Sequence, residues 1–163
     1  MPAICLKSTP STTLDVFGKS PMKLLSMGSR LIGTLFPTQD RNFSTMLVGL
    51  LRASHTTCST FILSLIYICR VHRAVSITHG ADCGEIASIG RLFFASLIIA
   101  NKYQQERHFS NKAWANLVQL PVSAVNSIEH TFLTLISYDL YVSGQEYDLF
   151  NEWLLMNFSL PPM

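Results

Sequence analysis

From residue 43 onward, apolar side chains recur every three or four positions in successive blocks separated by short polar breaks, the pattern of consecutive helices. The first block spans residues 43–53, where Met46, Leu47, Leu50 and Leu51 form one stripe. Residues 54–59 break it. Ser59 or Thr60 is then placed to cap a second helix running to about residue 74, because a side-chain oxygen can accept from an unpaired first-turn N–H. The β-branched content of this block would also suit a strand. Its length without Gly or Pro exceeds the usual strand of about 5–6 residues and decides for helix.

A loop over residues 79–83, holding Gly80, leads to a third helix over about 85–104. Its centre, Leu92 through Ala100, is apolar on every face, as expected of a helix surrounded by others, and Asn101 and Lys102 bring polarity at what should be its exposed end. A short helix follows over residues 111–118, with Ser110 as its cap and Trp114 facing inward. Pro121 opens a fifth helix, where a fixed φ and a missing N–H cost nothing, and Val125, Ile128, Phe132, Leu135 and Ile136 supply its buried stripe. After Asp139 the chain extends through Leu140 and Val142. Ser143-Gly144-Gln145-Glu146 has the form of a capping box opening a sixth helix to about residue 158, and Pro161 and Pro162 stop it.

Residues 1–40 read differently. They are rich in Ser, Thr and Pro, with prolines at positions 2, 10, 21 and 37, so no long helix runs through them and a mostly flexible tail is expected. Residues 22–36 place Met22, Leu25, Leu31, Leu35 and Phe36 at loosely helical spacing, enough for a short docking helix at most, since Gly28 and Gly33 weaken it. The expected fold class is therefore all-α: a tail over 1–40, a helical unit over 41–142, and a C-terminal helix and end over 143–163.

Composition narrows the function. The chain is 48% apolar and only 13% charged, against about 25% charged in an average soluble domain, which implies that some surface meets a partner. A formal charge of +2 is too small to imply nucleic acid or an anionic membrane as the ligand. The apolar stretches 61–69 and 92–100 fall short of the roughly 20 residues a bilayer requires. Cys5, Cys58, Cys69 and Cys83 form no CxxC pair, which fits reduced thiols in the nucleus or cytoplasm. The tail has neither the basic nor the apolar region of a secretory signal, and with one Arg it is a poor presequence. The sequons at Asn42 and Asn157 read as accidental in that compartment.

Motifs for chemistry are missing. No Gly-rich phosphate loop, GxSxG or HExxH is present, so an enzyme is not expected and no cofactor is called for. Cys69, His72, His79 and Cys83 have ligand types suited to zinc in a C-x2-H-x6-H-x3-C spacing, but structural zinc usually joins its ligand pairs by a longer loop, and the reading is no metal. His130 and Asp139 show no partner in the sequence and are read as structural. In the tail, Ser20-Pro21-Met22-Lys23 has the Ser-Pro-x-Lys form that proline-directed kinases favour; Ser20 is a candidate phosphosite and Thr9, before Pro10, a weaker one.

Three motifs taken together carry a resemblance: Arg91-Leu92-Phe93-Phe94-Ala95-Ser96-Leu97-Ile98-Ile99-Ala100-Asn101-Lys102-Tyr103, then Ser110-Asn111-Lys112-Ala113-Trp114-Ala115, then Ile128-Glu129-His130-Thr131-Phe132-Leu133-Thr134-Leu135-Ile136-Ser137-Tyr138-Asp139-Leu140. In order and spacing they resemble the cyclin box, and most nearly that of the fungal phosphate-pathway (Pho/Pcl-type) cyclins, over about residues 52–142. The resemblance implies a five-helix fold whose third and fifth helices dock on the αC helix of a cyclin-dependent protein kinase, with the protein acting as a non-catalytic regulator. It places kinase contacts at Lys102 and Glu129, both expected at exposed helix positions, with Tyr103 and Leu133 beside them. Tyr138 and Leu140 would close the fifth helix as part of an apolar docking surface.

The chain departs from mitotic cyclins in carrying Ile68-Cys69-Arg70 where they have Leu-Asp-Arg, and it lacks the Trp-Leu pair of their first helix. Pho-type cyclins diverge similarly there. About 20 residues follow Val142, enough for one helix and too few for a second box. The competing reading is a cyclin-fold adaptor that binds transcription machinery or nucleic acid, which calls for a basic face. Residues 52–112 hold seven Lys or Arg against three acids, a mild excess only.

Overall fold

The computed structural model describes residues 21–37, 41–78 and 88–158. In that part of the chain it is all-helical: α1 (Pro21–Leu35), α2 (Phe43–Ala53), α3 (Cys58–Thr78), α4 (Ile89–Gln104), α5 (Asn111–Val118), α6 (Val122–Leu135) and α7 (Gly144–Phe158). The five helices α2 to α6 are the ones expected of the box, and α7 is the expected C-terminal helix.

α4 is central because its sequence leaves it no polar face. Every residue from Leu92 to Asn101 is buried, enclosed mainly by α3 and α6 with α2 alongside. Phe93 is held edge-on by Phe43 of α2 and Phe61 of α3, each at 6.2 Å, and Phe94 meets Trp114 of α5 at 5.9 Å. Burial of these rings supplies the main driving force for assembling the helices, at about 25 cal/mol per Å² of apolar surface removed from water.

α3 is the second hub. By length and apolarity alone its Cys58–Ile77 stretch would suffice to cross a membrane, a longer run than the sequence suggested. Its side chains are spent on neighbours instead: Phe61, Leu65, Tyr67 and Ile68 have no exposed surface, and α1, α4, α6 and α7 all pack on it.

The caps are short polar residues. Ser88, Ser110 and Ser143 accept from the backbone N–H groups of Arg91, Ala113 and Glu146. For α3 the cap is Thr57, whose Oγ1 accepts from Thr60 N at 3.2 Å, and not Ser59 or Thr60. Those two hydroxyls bond to Thr57 instead. Pro121 precedes α6 as its cap residue instead of occupying the first turn. α3 also continues past residue 74 to Thr78, because nothing in Val75-Ser76-Ile77 disfavours helix enough to stop it.

The short docking helix allowed for residues 22–36 is present as α1, but not as part of a tail. This segment is core. α1 buries Leu24, Met27, Leu31 and Ile32, packs on α3 and α7, and ties to the end of α7 where Arg30 Nη1 donates to the Phe158 carbonyl at 2.8 Å. Gly28 reads locally as a helix-weakening residue, yet a Cβ there would lie 2.6 Å from Phe61 Cζ. The glycine permits the close approach that seats the helix. Ser20 and Thr9 lie outside the described residues, as do His79 and Cys83.

Candidate docking surface

At the C-terminal end of α4, Lys102 points across to α6. Its Nζ donates to Glu129 Oε1 at 2.7 Å and Oε2 at 2.9 Å. Neither side chain is the freely exposed contact expected: they retain 29% and 15% of their accessible surface. The two are partners of each other because α4 and α6 pack side by side, an adjacency no local pattern reveals. Half-burial makes the pair sensitive to loss of one member, since the remaining charge is left poorly solvated. An ammonium has three donors, and Glu129 takes two directions of this one, which leaves an N–H for a partner's acceptor. Asn101, expected at an exposed end, is only 2% exposed, because α4 is still enclosed there.

Around the pair lies a mixed surface. Along α6, Val122, Asn126, Glu129 and Leu133 fall at successive three- and four-residue steps and so share one face. Val122 is exposed, Leu133 half-buried, and Tyr103 of α4 retains 47% of its surface. Asn111, at the start of α5, donates through Nδ2 to Glu129 Oε2 at 2.7 Å and to Asn126 Oδ1 at 2.6 Å. It carries no signal in the sequence, because a polar residue in a first turn ordinarily faces solvent.

Beyond α6 the chain turns sharply. Ser137 and Tyr138 both take left-handed backbone conformations, φ 52° and 55°, which cost non-glycine residues free energy and persist only where surroundings hold them. Tyr138 N donates to the Leu133 carbonyl at 2.8 Å and Asp139 N to that of Ile136 at 3.0 Å. Arg70 of α3 fixes the extended segment after the turn: its guanidinium donates to the carbonyls of Asp139 at 2.6 Å and Tyr141 at 2.8 Å and to Glu146 Oε1 at 2.9 Å, with Asp139 Oδ1 at 3.5 Å. The Glu146 carboxylate, expected to complete a capping box, pairs with Arg70 instead. Tyr67 adds a bond from its hydroxyl to the Leu140 carbonyl at 2.9 Å, and burial, reinforced by the nearby Tyr103 and acids, pushes its pKa upward.

The turn therefore does not bury Tyr138 and Leu140 together. Tyr138 is 56% exposed, its hydroxyl within 3.2 Å of His130 Nδ1, while Leu140 is half-buried against the core. His130 and Asp139, which had no partner visible in the sequence, are thus engaged by Tyr138 and Arg70. The structure brings Lys102, Glu129 and Leu133 onto adjoining elements, with Tyr103 at the same end of α4. The Ile68-Cys69-Arg70 departure still supplies the arginine, the one polar side chain of that triplet able to reach backbone carbonyls.

Among the described residues no three His, Cys, Asp or Glu side chains cluster as a metal would require. Cys69 is buried enough to push its thiol pKa up to about 12, and His72 packs edge-on to Phe36 at 5.3 Å.

The chain is similar to known proteins. The family model described as Cyclin matches residues 42–140. The chain is 33% identical over 106 residues to the G1/S-specific cyclin pas1 of Schizosaccharomyces pombe, covering 65% of this chain and 25% of that protein. It is 22% identical over 113 residues to the PHO85 cyclin CLG1 of Saccharomyces cerevisiae, covering 67% of this chain and 25% of that one. The chain thus spans about a quarter of the length of the curated relatives it matches. No solved structure matches it.

Proposed function

Starting from the fact that this chain belongs to the cyclin family, we propose that it is the regulatory subunit of a cyclin-dependent protein kinase of the Pho type, binding the kinase αC helix through α4 and α6. A nuclear or cytoplasmic location is part of the same reading. The observation that carries it is the Lys102–Glu129 pair, held at 2.7 Å beside Leu133 one turn along α6, with Tyr103 exposed at the same end of α4. A surface of this kind combines apolar area for affinity with a pre-oriented charged group for register. Lys102 keeps an N–H for a backbone carbonyl, the group a helix leaves unpaired at its C-terminal end.

A protein kinase holds ATP productively only when its β3 lysine pairs with the αC glutamate. A subunit that binds one position of αC better than the other shifts the kinase toward that position, by no more than its differential affinity. Nothing in this role requires the regulator to touch substrate or nucleotide.

The test uses PHO85 kinase as the probe, with binding and peptide phosphorylation measured against added chain. Binding with a gain of kinase activity is expected. Lys102→Ala and Glu129→Ala should each weaken association by about 10-fold or more, the order of losing a charge-assisted hydrogen bond to the kinase or the carboxylate that orients it, while helicity by circular dichroism is retained. A chain that leaves kinase activity unchanged, or variants that bind like the parent, would overturn the assignment.

A further inference from the structure

We propose that Asn111 is a positioning residue for the docking surface: with Asn126 behind it, it fixes the Glu129 carboxylate so that Lys102 presents its remaining N–H outward. The consequence for binding rests on the docking reading above, but the positioning itself does not.

The geometry of the amide leads to this. Asn111 Nδ2 has two protons and two acceptors at hydrogen-bond distance, Glu129 Oε2 at 2.7 Å and Asn126 Oδ1 at 2.6 Å. Turning the amide over would set its oxygen against a carboxylate, so the charge of Glu129 dictates which way it faces. The cost is visible. Asn111 Oδ1 is left buried with no hydrogen-bond partner among the described residues, a penalty tolerated only where another bond outweighs it. A bond to an ionised acceptor is the stronger class.

Asn111 is also well anchored. It is the first residue of α5, whose cap Ser110 Oγ accepts from Ala113 N at 3.2 Å, and the next turn places Trp114 wholly inside the core. The amide thus reaches Glu129 from a fixed backbone. Glu129 Oε2 accepts from Lys102 Nζ at 2.9 Å as well as from Asn111, so one oxygen joins α4, α5 and α6. Removing Asn111 frees the carboxylate to rotate about its terminal torsion, a broad and weakly restricted one, and Lys102 moves with it.

The experiment has one arm on the isolated chain and one with the kinase. In the first, acetic anhydride labelling followed by mass spectrometry reads the reactivity of Lys102 against that of exposed Lys112. Asn111→Ala should raise Lys102 labelling about fivefold or more, as expected for loosening a charge-assisted bond, with Lys112 labelling unchanged and helicity by circular dichroism retained. Lys102 labelling equal to the parent's would overturn the proposal whatever the kinase does. In the second arm, PHO85 kinase affinity is measured for Asn111→Ala and for Asn111→Asp, each in the parent and in a Glu129→Gln background. Asn111→Asp should weaken binding more than Asn111→Ala in the parent, where it opposes a carboxylate, and less in the Glu129→Gln background, where the amide can donate to it. Equal effects in both backgrounds would refute the positioning role. Failure of Lys102→Ala and Glu129→Ala to alter binding would instead remove the docking reading and leave the labelling result standing.

Discussion

Substituting alanine at Gly28 and, separately, at Gly33 asks how firmly α1 is seated on the rest of the molecule. Both glycines lie in the same helix, and both should gain helix propensity on substitution, about 0.5–1 kcal/mol relative to glycine. Their surroundings differ. At Gly33 an added Cβ meets nothing within 4 Å, whereas at Gly28 it would lie 2.6 Å from Phe61 Cζ, 3.0 Å from Phe61 Cε1 and 3.3 Å from Leu65 Cδ1. Phe61 cannot swing away freely, because it is fully buried with Phe93 edge-on at 6.2 Å. Overpacking of this sort costs about 1–3 kcal/mol. Gly33→Ala should therefore stabilise the protein, while Gly28→Ala should fall below it by about 1–3 kcal/mol, the propensity gain cancelling from the comparison. For a chain of this size about 1 kcal/mol corresponds to about 2–4 °C in melting temperature, so the two variants should separate by several degrees in a circular-dichroism melt. Equal shifts of the same sign would refute the reasoning: α1 would then be a helix detached from α3, and the segment would revert to the tail its prolines suggest.

Burial and bonding set the other expectations. Leu97→Ala, at a fully enclosed position of α4, should cost about 2–5 kcal/mol through lost burial plus a cavity, read by urea denaturation; an unchanged midpoint would contradict the placement of α4 at the centre. Arg70→Ala removes the donor to the Asp139 and Tyr141 carbonyls and to Glu146, and should cost about 1.5–3 kcal/mol while speeding amide exchange in residues 137–143 more than in α4. Burial raises the Cys69 thiol from 9.0 to about 12 and the Cys58 thiol from 9.0 to about 11. The folded chain thus holds these protons more tightly than the unfolded one. That stabilisation is intact below about pH 9 and is lost as pH climbs toward the folded values. Denaturation midpoints should accordingly fall on the alkaline side, and Cys69→Ala should flatten the fall; a slope unchanged in that variant would assign the effect elsewhere.

Much of the fold was legible along the chain because it is written in local terms. The 3.6-residue periodicity of α2 and α6, the all-round apolarity of α4, and the serine caps at 110 and 143 each depend on neighbours a few residues apart; the cap at Ser88 was not legible in the same way, and α4 begins later than the expected start near residue 85. The bounds of the short α5 are legible for the same reason, its cap and its inward Trp114 lying within one turn and a half. Motif order then pointed to the family, which the match over residues 42–140 bears out.

Relations between segments distant in sequence were settled by packing alone. Local rules count Gly28 as a defect in a weak helix; it is the packing of Phe61, 33 positions on, that makes the missing side chain an advantage. Lys102 and Glu129 each look like solvated charges at helix positions. That they face each other results from the docking of α6 on α4, a long-range apolar event that sets charged groups 27 positions apart at 2.7 Å. The partners of Asn111 and Arg70 carried no signal for a related reason: a polar side chain on a helix is commonly solvated, and here the partners are a carboxylate or carbonyls brought in from another part of the chain. Hydrophobic period fixes which face each helix buries, but side-chain polar partners are chosen only after those faces have met.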